Sequence, residues 1–242
     1  MNAVRASKWP ALLVVMRHAE SEANERREYL NKINSTDTHL ALGKRDVDVD
    51  LTDRGHRQAS RTGSYLRANY PPFDSIYVSP YRRTRQTAER VLAEYPAWSG
   101  EIFTEERLRE KEFGVLEGLT KHGIATLRPD EHARRRLMGK YYYRPPGGES
   151  YPDVNLRVHS FLGTLVRERA GGRVLVVTHS VVVLCFRRLL ERMEEHEVLD
   201  LDRRDEVRNA SLLVYEPGVR DSGASIMVRR AWNLTPWDGT AG

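Results

Sequence analysis

The chain has 242 residues, 40% apolar and 30% charged, with a net charge of +5 and one cysteine. This is a globular composition rather than a disordered or fibrous one, and a lone thiol excludes an internal disulfide framework and a common cysteine-built zinc site. No apolar run approaches the roughly 20 residues of a membrane span, and no secretory leader precedes Leu12, so a cytoplasmic location is expected, with anionic partners suggested by the positive charge.

Residues 11–16 (ALLVVM) are the first unbroken apolar run, the pattern of a strand covered on both faces. Arg17 and His18 follow it directly. Residues 43–50 read as a solvated loop. Asp46, Asp48 and Asp50 alternate like the start of a calcium loop, but Leu51 stands where its glycine belongs and no glutamate stands at the twelfth position, so calcium is rejected. Thr52 then caps a helix over about residues 53–67.

Residues 75–79 (SIYVS) predict a second strand. Pro80-Tyr81-Arg82-Arg83-Thr84-Arg85 opens the following helix, whose apolar face is Ala88, Val91, Leu92 and Tyr95. Arginine at a helix N-terminus is disfavoured by the helix dipole unless an anion lies nearby. Residues 119–148 break the pattern. They are polar, basic and aromatic, end in Pro-Pro-Gly-Gly, and read as an insertion forming a lid or pocket wall.

Ser150 as N-cap, Pro152 in the first turn and Asp153 in a capping box start a helix carrying Val158, Phe161, Leu162, Leu165 and Val166. Arg173–Thr178 (RVLVVT) is a third strand, followed by His179 and Ser180. Cys185 sits in an apolar run and reads as a core residue. Residues 212–215 and 225–228 are weaker strands. A tail of about residues 229–242 carries Trp232 and Trp237, which cover either the core or a partner.

Strands alternating with helices predict a three-layer α/β/α fold with a mostly parallel sheet, in one domain spanning residues 1–242. Sites in such sheets lie beyond the carboxyl ends of the strands. His18 and His179 then share that edge, together with the arginines at 82–85.

These residues carry a resemblance. Arg17-His18-Ala19-Glu20-Ser21 with Asn24 resembles the Arg-His-Gly signature of the histidine phosphatase superfamily, the phosphoglycerate-mutase-like enzymes. Leu51-Thr52-Asp53-Arg54-Gly55 with Gln58-Ala59 is similar to the second block of that family. Residues 79–88 resemble the third, which places the phosphate-binding arginine at Arg83. Leu108-Arg109-Glu110, then Phe113-Gly114 and Glu117-Gly118, resemble the fourth and place the proton donor at Glu110. Pro146-Gly147-Gly148-Glu149-Ser150 and Val177-Thr178-His179 complete six blocks in order over roughly residues 11–215. One departure is Ala19, where the family usually has glycine. Alanine tolerates positive φ poorly, so a differently shaped loop is expected there.

The resemblance implies a metal-independent phosphatase with no cofactor. His18 is its nucleophile, Arg17, Arg83 and His179 its phosphate cradle, and Glu110 its proton donor, with Glu112 and Glu117 as neighbouring acids. Asn24, Ser21 and Ser180 are further substrate contacts. Residues 140–150 resemble the corresponding stretch of fructose-2,6-bisphosphatases, which makes Lys140, Tyr143 and Arg144 candidates for the far end of a small phosphorylated metabolite. Gly118-Leu119-Thr120-Lys121 and the arginines at 134–136 keep a cofactor-dependent phosphoglycerate mutase as the alternative. A non-catalytic phosphate- or RNA-binding module is a second alternative, although nucleic acid is disfavoured because basic and acidic residues are interleaved. Oligomeric state is not legible.

Overall fold

A computed structural model describes residues 8–220 and 222–239. Four parallel strands, β1 (Leu12–Arg17), β2 (Ser75–Val78), β3 (Glu101–Thr104) and β4 (Arg173–Thr178), form the main sheet. β5 (Leu212–Val219) pairs antiparallel with β1, and β6 (Ser225–Leu234) antiparallel with β5. The order across the six strands is β3-β2-β4-β1-β5-β6.

Eight helices among the described residues flank the sheet: α1 (Glu22–Lys32), α2 (Asp53–Asn69), α3 (Arg82–Leu92), α4 (Lys121–Leu127), α5 (Pro129–Tyr142), α6 (Tyr151–Glu168), α7 (Ser180–Glu191) and α8 (Glu195–Arg204). The mostly parallel three-layer architecture is the one expected. No helix among the described residues is long and apolar enough to cross a membrane.

Strand side chains alternate between faces, and both faces of β1 and β4 are covered. Leu13, Val15, Val174 and Val176 pack with Val158, Phe161 and Leu165 of α6 and with Val182 and Phe186 of α7. Val14, Met16, Leu175 and Val177 pack on the other side with Ala59 and Leu66 of α2 and Ala88 and Val91 of α3. Burying each of the larger side chains contributes roughly 1.5–3 kcal/mol. β1 therefore has to read as a continuous apolar run. Cys185 is in the first core, where burial pushes its thiol pKa up.

The chain leaves the adjacent strands β1 and β4 toward opposite faces, α2 on one side and α7 on the other. This opens a crevice at their carboxyl ends. Arg17-His18 and His179-Ser180 stand at its two lips.

Several elements differ from expectation, α1 and α8 among them, which the sequence reading did not mark. β3 has no counterpart in the sequence reading, because an edge strand with three of four residues exposed lacks an apolar signature. Residues 119–148, expected as an insertion forming a lid or pocket wall, are largely helical, and several of them line a cavity. Thr120 caps α4 through the Gly123 N–H, and Pro129 opens α5. α5 buries only Glu131 and Tyr141, so it shows no apolar stripe to read. Residues 229–234 belong to β6 rather than to a tail, and 240–242 lie outside the described residues. Trp232 and Trp237 each pack against the core. The Arg187 guanidinium lies 4.3 Å from the Trp232 ring, and Trp237 Nε1 donates to the Asn209 carbonyl.

Gly114 is required by its backbone. It has φ of +52°, and a Cβ would stand 2.1 Å from the Pro146 carbonyl oxygen. Gly114→Ala is expected to destabilise the protein by about 2 kcal/mol, a drop on the order of 4–8 °C in Tm. Thermal unfolding checks it, and an unchanged Tm would show that the 113–114 turn relaxes freely.

Candidate active site

Glu20 joins the loop after β1 to the start of α2. Its carboxylate accepts from Thr52 Oγ1 (2.7 Å) and Arg54 Nη1 (3.0 Å), its N–H donates to Gln58 Oε1 (2.9 Å), and its carbonyl accepts the Thr52 N–H (3.0 Å). Gly55 permits this approach, since a Cβ there would lie 2.0 Å from the Glu20 oxygen. The first two sequence blocks are thus two sides of one joint that holds His18. Ala19 is fully buried, donates its N–H to Thr87 Oγ1 (3.1 Å), and lies outside the positive-φ region. Alanine is therefore unstrained at this position, because no left-handed residue is needed there.

His18 Nδ1 lies 2.7 Å from the Ala19 carbonyl. A carbonyl only accepts, so Nδ1 carries the proton and Nε2 holds the free lone pair. Burial, then the Arg83 and Arg17 charges, lower the His18 pKa well below its ordinary 6.5. At neutral pH it is an uncharged imidazole.

Arg17 donates through Nη1 to the Val207 carbonyl, while its buried Nε–H has no protein acceptor. His179 is fully buried. Its Nε2 meets Ser79 Oγ at 2.8 Å, its Nδ1 has no protein partner, and its ring stands edge-on to His18 with centroids 5.2 Å apart. Arg17 Nε and His179 Nδ1 are buried and unmatched, an arrangement suited to the oxygens of an anion.

Arg83, only 4% exposed, is paired with Asp46. This corrects the reading of residues 43–50 as a solvated loop. A 3-10 turn (Asp46–Asp48) brings Asp46 inward, because a buried guanidinium needs a counter-charge.

Glu110 accepts the Lys111 N–H (2.8 Å) and the Ser180 hydroxyl (3.3 Å). Burial raises its carboxyl pKa above 4.5; the Lys111 N–H, Arg83 and Arg17 oppose that rise and Asp46 adds to it. Its backbone is held by Arg157, which donates to the carbonyls of Arg107 (2.7 Å) and Glu110 (3.2 Å) and pairs through two nitrogens with Glu149 (3.0 Å each). Glu149 in turn accepts the Glu112 N–H (3.0 Å). The fifth block therefore anchors the fourth.

Arg17, His18, Asp46, Arg83 and Glu110 line one cavity of about 620 Å³, together with Asn24, Ser21, Ser180, Lys140 and Tyr143, while His179 stands beside His18. Asn24 Oδ1 accepts from the Ser21 N–H and hydroxyl and from Asn209 Nδ2, which leaves the Asn24 NH₂ for a ligand. Ser21 is nearby, but its hydroxyl closes the α1 capping box.

The expected far-end contacts divide. Lys140 is paired with Asp202, and the Tyr143 hydroxyl donates to Glu131 (2.8 Å). Arg144 is not part of the cavity wall. Its Nε donates to the Gly148 carbonyl (2.9 Å), and it pairs with Asp153 at the start of α6 (3.5 Å). Lys111 and Arg135 instead present cations to the cavity. Burial lowers the Lys111 pKa to about 8. Its signal in the sequence was its place beside Glu110 in the fourth block.

A family model described as the histidine phosphatase superfamily (branch 1) matches residues 13–223. A 2,3-bisphosphoglycerate-dependent phosphoglycerate mutase of Methylobacterium radiotolerans is 35% identical over 208 residues, covering 84% of this chain and 88% of that one. A 6-phosphofructo-2-kinase/fructose-2,6-bisphosphatase of Aquarana catesbeiana is 31% identical over 176 residues, 73% of this chain but 32% of that longer protein. Among solved structures, Bacillus stearothermophilus YhfR aligns with a TM-score of 0.71 at 24% identity, over 92% of this chain and 96% of that one. A mycobacterial glucosyl-3-phosphoglycerate phosphatase aligns with a TM-score of 0.67 at 22% identity, over 93% and 100% of the two chains. At these identities the structural likeness is one of fold.

Proposed function

This chain belongs to the histidine phosphatase superfamily, and on that premise we propose that it hydrolyses small phosphate monoesters through a phosphohistidine on His18. The observation that carries the reading is His18 itself, a neutral imidazole with Nδ1 tied to a carbonyl, in one cavity with Arg17, Arg83 and Glu110. An uncharged nucleophile suits an already anionic phosphorus.

His18 Nε2 forms the bond to phosphorus as the ester bond breaks, and protonated Glu110 gives its proton to the leaving oxygen. The Ala19 carbonyl stabilises the charge that develops at Nδ1–H. Arg17, Arg83 and His179 hold the equatorial oxygens, and the Asn24 amide adds a neutral donor. In the second step, carboxylate Glu110 takes a proton from water, the water oxygen attacks phosphorus, and His18 leaves with phosphate as product. Positive charge comes from guanidinium groups, so no metal ion is called for.

The leaving group has room. The wall along α1 runs from Asn24 to Asn31, about 10 Å at the helical rise, and Leu30, Leu40, Leu116 and Ile124 are among the residues that line the cavity. Its volume falls within the roughly 300–1,000 Å³ of drug-sized ligand sites.

A phosphoglycerate mutase is the second reading. It is favoured by mutase relatives at 30–35% identity and by Lys111 and Arg135, which suit a substrate carboxylate. The test is 4-nitrophenyl phosphate hydrolysis with chelator present, against phosphoglycerate interconversion primed with 2,3-bisphosphoglycerate. Hydrolysis is expected to be the faster. Interconversion exceeding hydrolysis would establish the mutase, and tight phosphate binding without turnover would establish the binding module.

A further inference from the structure

Arg83 has five N–H donors in a planar fork. Asp46 takes three of them. Nη1 donates to the Asp46 carbonyl (2.6 Å) and Oδ1 (3.1 Å), and Nη2 to Oδ2 (3.0 Å). Both hydrogens of Nη1 and one of Nη2 are thereby engaged, leaving Nε–H and the second Nη2–H on one edge. The guanidinium also lies 4.8 Å from the Tyr81 ring centre.

The turn that delivers Asp46 is itself fastened. The Val49 N–H returns to the Asp46 carbonyl (3.3 Å), Lys44 bridges Glu22 and Asp50, and Gln86 donates to Asp50 (2.9 Å). Asp46 is therefore held against a residue 37 positions away by contacts reaching both α1 and α3.

We propose that Asp46 is a positioning residue for phosphoryl transfer, holding Arg83 by one edge so that the other faces the phosphoryl oxygens, and offsetting part of the cationic charge so that product phosphate leaves. This rests on the reading that Arg83 binds phosphate. A planar fork gripped by a carboxylate keeps a fixed direction, which a solvated arginine does not. The carboxylate also adds negative charge near Glu110, which faces Arg17 from β1, Arg83 from α3, Ser180 from α7 and its neighbour Lys111.

The opposing reading makes Asp46 a plug that occupies the arginine until substrate displaces it. The two predict opposite signs for its removal.

The test compares wild type with Asp46→Asn, Asp46→Ala and Asp46→Glu. It measures 4-nitrophenyl phosphate turnover across pH and, separately, inorganic phosphate binding by calorimetry. Positioning predicts that Asp46→Asn binds phosphate roughly 3–10-fold more tightly while kcat falls about 10-fold or more. The alkaline limb of kcat/KM should move to lower pH as Glu110 loses a neighbouring anion, and Asp46→Glu should restore it. Faster turnover in Asp46→Ala would establish a plug and overturn the proposal, as would unchanged binding and pH limb in Asp46→Asn. If the wild-type enzyme turned over nothing, the proposed reaction would fail, yet calorimetry would still decide whether Asp46 governs anion binding. A wild-type protein that binds no phosphate overturns both.

Discussion

His18→Ala is expected to lower kcat/KM for 4-nitrophenyl phosphate by on the order of 10⁴-fold or more, the scale seen when a covalent nucleophile is removed. The wild-type enzyme should yield a phosphoenzyme on acid-free quenching, detectable by phosphorus NMR, and the variant should not. Folding is checked by circular dichroism, since His18 is buried and its ring stands beside His179. Burial and then the charges of Arg83 and Arg17 depress the His18 pKa. The form that attacks is the unprotonated one, so the acid limb of kcat/KM should lie below pH 6.5. A variant retaining a few per cent of wild-type activity would remove His18 from the chemistry.

Glu110→Gln is expected to slow turnover by about 10²–10⁴-fold, the contribution of a positioned general acid. The loss should be larger for an alkyl phosphate than for 4-nitrophenyl phosphate, because an alkoxide needs a proton to leave and a nitrophenolate scarcely does. The Glu110 carboxyl is raised above 4.5 chiefly by burial. Its protonated form is the one required, so activity should fall as pH rises through its pKa, and that limb should vanish in the glutamine variant.

Two neighbours serve as controls. Glu112 is absent from the cavity wall, and Glu112→Gln should have little effect. Glu117 lines the cavity, and burial with the Asp46 and Glu112 charges raises its pKa to about 7. Its carboxylate takes no hydrogen bond from Ser180, whereas that of Glu110 does. Glu117→Gln should therefore cost less than Glu110→Gln. Equal small effects in all three would leave the proton donor unassigned.

Local chemistry was legible wherever neighbours in sequence are neighbours in space. The run 11–16 reads as a doubly covered strand because both faces of β1 are packed. Ser150 with Asp153 reads as a helix start because the capping box closes within three residues. The histidines at two strand ends follow from the parallel sheet, since strands pointing one way bring their exits to one edge. The motif blocks place His18, Arg17, Arg83, His179 and Glu110 in order along the chain, and one cavity gathers all but His179, whose ring stands beside His18.

What the linear pattern left open depends on which distant groups meet. β3 pairs by backbone alone at an exposed edge, so its side chains carry no apolar signature. Lys140, Tyr143 and Arg144 are adjacent and chemically alike as candidates. Asp202, Glu131 and Asp153 pair with each of them in turn, and these acids lie elsewhere in the chain. Asp46 reads as one of three solvated aspartates until the fold sets it against a buried guanidinium that has to be neutralised. The sequence alone determined the fold class and the strand ends that carry the histidines, because periodicity and local capping specify these without long-range information, and the resemblance to the family singled out the candidate site residues. The tertiary structure alone decided which cations are left free and which carboxylate holds Arg83, because charge pairing in a low-dielectric interior depends on proximity, which sequence order does not encode.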